Sequence, residues 1–151
     1  MRGYFGIGIY HPKHEVNVGT LWRSAYQLGA SFVFTIGQRY SKQASDTPKV
    51  SRHIPLMEYS NWDDFHNHIP YNCMPIAIEM GGHRLSNFVH PERAIYILGA
   101  EDHGLPQDVM QVCTQTISVE SVRLQSFNVS VAGSIVMYGR LVKNAPKELA
   151  I

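Results

Sequence analysis

Short apolar segments alternate with amphipathic ones along the whole chain. Six segments of four to eight residues are rich in β-branched and aromatic side chains and are bounded by Gly, Pro or polar residues, a pattern typical of buried strands. These predicted strands cover residues 3–10, 31–36, 54–57, 74–79, 94–98 and 116–119. The pair Gly81-Gly82 is expected to turn the chain after the fourth strand.

Four helices are predicted between and after these strands. In the first, Asn17 is expected to be the N-cap and Gly29 the C-terminal stop. Its apolar face follows helical spacing and consists of Val18, Leu21, Trp22, Ala25 and Leu28. The others are expected at 60–68, with Ser60 as cap and Asp63 in a capping box, at 106–113, and at 128–142. This order predicts an α/β fold with a mainly parallel sheet and helices on both faces.

Length and composition exclude several protein classes. The chain has 151 residues, 44% of them hydrophobic and 17% charged, so it forms one domain over 1–151 rather than a disordered protein. No apolar run approaches the ~20 residues of a membrane span, and a cytoplasmic location is expected. Cys73 and Cys113 have no pairing pattern and are expected to be reduced thiols. The histidines lack metal-site spacing, so no metal is expected.

Charge is distributed unevenly along the chain, although the net charge is only +1. Residues 54–122 are acidic, whereas the two ends and the long connection 37–53 are basic. That connection has no apolar period and carries Arg39, Tyr40, Lys42, Lys49 and Arg52. A cationic face for a polyanion is one interpretation, and an ordinary solvated surface is the other.

Three segments concentrate polar residues and glycine where a parallel sheet binds ligands, in loops after its strands. They cover residues 17–25, 98–106 and 123–135. The first contains Asn17 and Arg23, whose guanidinium could bind a phosphate; an exposed helix arginine is the alternative. The second holds an acidic turn between Gly99 and Gly104, where a ligand could approach bare backbone, or which could be a simple tight turn. The third crowds Ser126, Asn128 and Ser130 onto one helix start, more groups than capping requires.

Together these segments resemble the three motifs of the SPOUT superfamily, and more narrowly its tRNA/rRNA ribose 2′-O-methyltransferases. The matching residues are Asn17-x-Gly19-x-x-x-Arg23-x-Ala25, Leu98-Gly99-x-Glu101-x-x-Gly104-Leu105 and Ser126-x-Asn128-Val129-Ser130-Val131-Ala132. The resemblance spans residues 5 to 142. Phe127 and Thr20 depart from the residues common in the family, and 118–125 lacks its usual Ile-Pro-Met sequence.

The resemblance implies a C-terminal deep trefoil knot, S-adenosylmethionine as cofactor and an active site formed across a homodimer. By motif matching, Arg23 would be the catalytic arginine and Asn17 would position it, with Glu101, Ser126 and Asn128 shaping the pocket. The cofactor would be held by the backbone around Ile78, Glu79, Gly99, Ile117 and Val119, and by Ser126. Because an arginine stays protonated, Arg23 is expected to stabilise charge and bind a phosphate rather than act as a base.

The expected substrate is RNA, with tRNA first because minimal relatives of this length generally modify tRNA. No added RNA-binding domain is expected, so RNA would be bound by the dimer surface and by the basic loop with Arg39, Lys42, Lys49 and Arg52, Tyr40 stacking on a base. Three alternatives stay open. The target could be rRNA, the protein could be a non-catalytic RNA-binding knot protein, or the motifs could belong to an unrelated nucleotide-binding α/β domain.

Overall fold

A computed structural model describes residues 3–37, 53–99, 102–144 and 149. Strands and helices alternate within these ranges, and a 3-10 turn at Leu85–Asn87 follows the fourth strand. The strands are β1 (Tyr4–Tyr10), β2 (Phe32–Ile36), β3 (Leu56–Tyr59), β4 (Met74–Arg84), β5 (Arg93–Leu98) and β6 (Gln115–Ser118). The helices are α1 (Glu15–Gln27), α2 (Trp62–Asn67), α3 (Gln107–Val112) and α4 (Val129–Lys143).

The described strands form one six-stranded sheet in the order β3-β2-β1-β5-β4-β6. Every pairing in it is parallel, so the carboxyl ends of all six strands lie along the same edge. The loops after β1, β5 and β6 therefore emerge near one another, although they are far apart in the chain.

Two apolar clusters cover the two faces of the sheet. Along β5, Tyr96 and Leu98 belong to one cluster, and Ile95 and Ile97 belong to the other. The first cluster contains the buried faces of α1 and α4, and the second contains those of α2 and α3. The predicted α/β fold with a parallel sheet and helices on both faces is confirmed.

Glycines let aromatic rings and a helix lie close to the sheet. Gly6 and Gly8 in β1 lie under the rings of Phe32 and Phe34, which occupy the space that a Cβ would need. On the other face, a Cβ on Gly133 of α4 would lie 2.6 Å from Leu21 Cδ1 and 2.9 Å from Leu98 Cδ1. Gly133 therefore allows α4 to pack closely against α1 and the sheet of the same chain.

Helix α1 begins earlier than the sequence pattern predicts. His14, not Asn17, is the N-cap, and Asn17 lies in the first turn with its N–H donating to the His14 carbonyl at 3.0 Å. The prediction of Asn17 as N-cap was wrong because Glu15, an acidic residue favoured in a first turn, already belongs to the helix. Asn17 is instead buried at 7% exposure.

Helix α2 is capped one residue later than expected. Asn61 Oδ1 accepts from the N–H of Asp64 at 2.9 Å, and Asp64 Oδ2 accepts in return from the N–H of Ser60 at the same distance. Ser60 is thus a hydrogen-bond donor rather than the cap, and Asp64 takes the role predicted for Asp63.

Strand β4 does not end at Gly81-Gly82 as predicted. Ile78 and His83 both pair with Ile117 of β6, so residues 79–82 bulge out and the strand then resumes through Arg84. Gly81 has φ +82, which a residue with a side chain rarely adopts, and this explains the turn signal. The bulge places Glu79 and Met80 beside the carboxyl ends of β5 and β6.

Candidate active site

A cavity of about 570 Å³ lies at the carboxyl ends of β4, β5 and β6. Its wall combines the bulge after Ile78, the Gly99 turn after β5, the segment 118–121 after β6 and the start of α4. Apolar side chains supply much of the lining, among them Ile78, Leu98, Val119, Leu124, Val129 and Ala132. Size and lining are those of a small-molecule site rather than a packing defect.

The turn after β5 is held very close to the bulge in β4. A Cβ on Gly99 would lie 2.7 Å from the Gly104 carbonyl carbon and 2.8 Å from Glu79 Oε1. Gly104 has φ +64, and the Leu105 N–H donates to Glu79 Oε1. Both glycines of the second motif are therefore required, because a side chain at either position would collide with its neighbours. Their backbone is left exposed to the cavity.

Asn128 links the third motif to the first. Its Oδ1 caps α4 by accepting from Ser130 N at 3.0 Å and Val131 N at 3.3 Å. Its Nδ2 donates to Asn17 Oδ1 at 3.1 Å, across 111 positions of sequence. Asn128 lines the cavity, and Asn17 lies behind it. Two distant motifs thus meet at the cavity wall.

A second link joins the loops after β1 and β5. Lys13 Nζ and Asp102 form an ion pair, with side chains about half exposed. Such a pair contributes little to stability in water, but it ties the two loops that flank the β1–β5 pairing. Neither residue was singled out by sequence reasoning, because a pairing across this distance leaves no local pattern.

The loop 121–128 exposes its side chains around the cavity mouth. Leu124, Ser126 and Phe127 line the cavity, and Leu124 is 97% exposed at its mouth. Val122 is 91% exposed and does not line it. Beside this loop, Glu120 accepts from Ser86 N at 3.0 Å and from the Ser86 hydroxyl, which lowers the pKa of its carboxyl. Glu120 therefore stays ionised at the rim. Sequence reasoning missed it.

Five of the six residues that the resemblance predicts to hold the cofactor line this cavity: Ile78, Glu79, Gly99, Val119 and Ser126. Ile117 does not, because its side chain is fully buried in β6.

Arg23 is not brought to the cavity of its own chain. It is exposed on α1 and is absent from the cavity lining. Glu101 and the proposed RNA-binding residues lie outside the described residues, the latter being Arg39, Tyr40, Lys42, Lys49 and Arg52.

The described residues show neither a metal site nor a membrane-spanning helix. Within the described ranges, no three His, Cys, Asp or Glu side chains converge in a way that could hold a metal ion. None of the helices described has the length and apolar composition that a membrane crossing requires. Both cysteines are free thiols beside the α2/α3 cluster. Burial raises the pKa of Cys113 to about 11.

Comparison with known proteins identifies the family. The sequence profile of the SpoU rRNA Methylase family matches residues 5–138, nearly the whole chain. The chain belongs to this family. The match includes the parts of all three motifs that line or support the cavity. A search of curated protein sequences finds no match.

Solved structures share the fold at low sequence identity. AviRb, a SpoU methyltransferase from Streptomyces viridochromogenes, is 18% identical with a TM-score of 0.79, and the match covers 95% of this chain and 60% of AviRb. An AdoMet-bound rRNA methyltransferase from Sinorhizobium meliloti is 18% identical with a TM-score of 0.79, and the match covers 95% of this chain and 57% of that protein. A protein solved for the 2-OH methylation of C/U34 on tRNA is 21% identical with a TM-score of 0.78, and the match covers 97% of this chain and 100% of that protein. The chain thus spans about 60% of the first two relatives and all of the third.

Proposed function

We propose that this protein is an S-adenosylmethionine-dependent RNA methyltransferase that methylates a ribose 2′-hydroxyl in tRNA. The observation that carries the proposal is the Asn128–Asn17 hydrogen bond at the wall of the cavity. It joins two motifs whose side chains serve the RNA, next to glycines that leave room for a cofactor.

The cavity fits S-adenosylmethionine in size and chemistry. About 570 Å³ is sufficient for an adenosine with a short amino-acid tail. Ile78, Leu98 and Val129 offer apolar surface to an adenine ring, and the Gly99–Gly104 turn is a cradle that a Cβ would fill. The AdoMet-bound structures of the Sinorhizobium meliloti enzyme and of AviRb support the same ligand here.

The chain's residues then have to align and activate a hydroxyl. When bound, S-adenosylmethionine supplies a methyl group already activated on a sulfonium. Ser126 and Asn128 line the cavity and can orient the ribose through hydrogen bonds. The Arg23 guanidinium binds a phosphate and stabilises the developing alkoxide. Asn17 keeps Asn128 in place. Glu101 is assigned to the pocket by its motif alone.

Arg23 does not line the cavity of its own chain, so its proposed role requires the cavity of a second subunit. A homodimer that brings α1 of one subunit to the cavity of the other would supply it, as the family resemblance implies. The outer face of α4 supports such an interface, because Val131, Tyr138 and Val142 are 45%, 58% and 48% exposed and share one helical stripe. Val16 on α1 is 59% exposed as well. Family membership also supports the proposed trefoil knot in the C-terminal part.

The tRNA assignment rests on size and on the third relative. This chain covers all of the protein solved for 2-OH methylation on tRNA, whereas it covers only part of AviRb. The basic segment with Arg39, Lys42, Lys49 and Arg52 is the proposed RNA contact, with Tyr40 stacking on a base. Reversing two of these charges should weaken tRNA binding and flatten its salt dependence. Unchanged affinity would remove the segment from the proposal.

The test is transfer of a labelled methyl group from S-adenosylmethionine to RNA from cells that lack this protein. The RNA is separated by size and digested to nucleosides. Label in a 2′-O-methyl nucleoside of the tRNA fraction is expected. Label on a base would refute ribose methylation, and label in large RNA would move the target to the ribosome. Arg23→Lys is the informative variant, since near-full turnover would show that the guanidinium is not needed.

A further inference from the structure

We propose that the side chain of Glu79 makes the cavity selective for a cationic adenosyl ligand, so that S-adenosylmethionine binds more tightly than the product S-adenosylhomocysteine. This inference rests on the proposed function and goes beyond it. The family resemblance implies only that the backbone around Glu79 holds the cofactor, whereas the structure gives its carboxylate a defined position and partner.

The charges around the cavity are one-sided. Among its lining residues that the structure describes, Glu79 and Glu120 are acidic and none is Lys, Arg or His. S-adenosylmethionine carries a sulfonium, an ammonium and a carboxylate, hence one net positive charge. S-adenosylhomocysteine lacks the sulfonium charge and is neutral overall. If a partner subunit adds Arg23 at the cavity, as proposed above, the two carboxylates still outnumber that one cation. The cavity therefore stays anionic and distinguishes two ligands that differ by a single methyl group and its charge.

Glu79 is better placed than Glu120 to make this distinction. Its carboxylate accepts from the Leu105 N–H and lies against Gly99 and Gly104, so it is held between the bulge and the turn. It is partly buried, where a charge acts through a lower effective dielectric than water. Glu120 is exposed and is bonded to Ser86, so solvent screens it more.

Product release follows from the same electrostatics. Methyl transfer removes the sulfonium charge, so the attraction from Glu79 is present before the reaction and weaker after it. This difference favours release of the product.

The experiment is calorimetric binding of S-adenosylmethionine and S-adenosylhomocysteine to the whole protein, without RNA. The wild-type protein should prefer S-adenosylmethionine by about tenfold, which corresponds to about 1.4 kcal/mol. The preference should shrink as salt is added. In Glu79→Gln, the amide oxygen can still accept from Leu105, so the turn is kept and only the charge is lost. The preference should fall to about twofold or less, through weaker S-adenosylmethionine binding alone.

Glu120→Gln is the matched control and should retain most of the preference. Sinefungin, which carries an amine in place of the sulfonium methyl group, should follow S-adenosylmethionine across the variants. If Glu79→Gln weakens the binding of both ligands by the same factor, the proposal is overturned and Glu79 has a purely structural role. If wild-type protein binds both ligands with equal affinity at all salt concentrations, the inference is wrong whether or not the variant folds. If it binds neither, the proposed function itself fails.

Discussion

Replacing Asn128 should destabilise the protein through two separable contacts. Its Oδ1 caps α4, and its Nδ2 donates to the buried Asn17 at 3.1 Å. Asn128→Ala removes both contacts. Asn128→Ser keeps a good N-cap oxygen but has too short a side chain to reach Asn17, so it removes only the link between the motifs.

The expected magnitudes follow from the contacts. Loss of an N-cap costs about 1 kcal/mol. Loss of the amide–amide hydrogen bond costs about another 1 kcal/mol. Asn128→Ala should therefore lower the unfolding free energy by about 2 kcal/mol, and Asn128→Ser by about 1 kcal/mol. For a chain of this length, the larger change lowers Tm by about 4–8 °C.

Urea unfolding followed by circular dichroism measures both variants, at one fixed protein concentration because an oligomer's stability depends on it. The decisive comparison is between Ala and Ser. If Asn128→Ser is as stable as the wild type, the bond to Asn17 contributes nothing and the two motifs are not coupled through it. If Asn128→Ser has the same unfolding free energy as Asn128→Ala, the N-cap contributes nothing to stability.

Three further predictions concern the rest of the fold. Gly133→Val should cost about 1–3 kcal/mol by overpacking α4 against Leu21. Gly139→Ala, whose Cβ would make an ordinary van der Waals contact with Leu85 Cδ2 at 3.5 Å, should stabilise α4 by up to about 1 kcal/mol in the same denaturation assay. If the proposed homodimer forms through α4, Tyr138→Asp should give monomers in sedimentation, whereas an unchanged dimer would remove α4 from the interface. Burial and the charge of Arg140 lower the pKa of His90 to about 4. The unfolded chain thus binds a proton between pH 6.5 and 4 that the folded chain does not. As the pH falls from 6.5 to 4, the free energy of unfolding should therefore decrease by about 1–2 kcal/mol, a value that allows for solvent screening of the partly buried imidazole. His90→Gln should flatten this dependence on pH.

The surroundings of His90 give that last prediction a structural basis. Tyr96 Oη accepts from Arg140 at 3.2 Å and is hydrogen-bonded to His90 Nδ1 at 2.6 Å. A proton added to His90 would place a second cation close to Arg140, in a position that is shielded from water.

Most of the fold could be predicted because its signals are local. The apolar runs identify all six strands, and the order of elements predicts a parallel sheet. The start of α4 was also predicted, since Ser126, Asn128 and Ser130 are local capping candidates, and the structure shows that Asn128 is the cap. The errors occurred where two local signals compete: Glu15 extends α1 past Asn17, and Asn61 displaces Ser60 as the cap of α2.

The site was only partly predictable, since its key contacts join distant residues. Motif resemblance singled out Asn17, Gly99 and Asn128, but nothing in the sequence indicates that Asn128 donates to Asn17. The hydrogen bond between Glu79 and Leu105 depends on a bulge that reads as a turn in the sequence. Likewise, spacing on α1 does not tell whether Arg23 faces its own cavity or a partner's.

The central claim is a site made from the cavity of one subunit and Arg23 of another, and subunit complementation tests it most directly. Arg23→Ala lacks the cation, and Gly99→Val blocks the cradle with atoms that would collide with Gly104 and Glu79. Each variant alone should be inactive in methyl transfer to tRNA. Mixed and re-equilibrated, they should recover about a quarter of wild-type activity, because half of the dimers then hold one intact site. No recovery, with mixed dimers verified, would contradict a shared site.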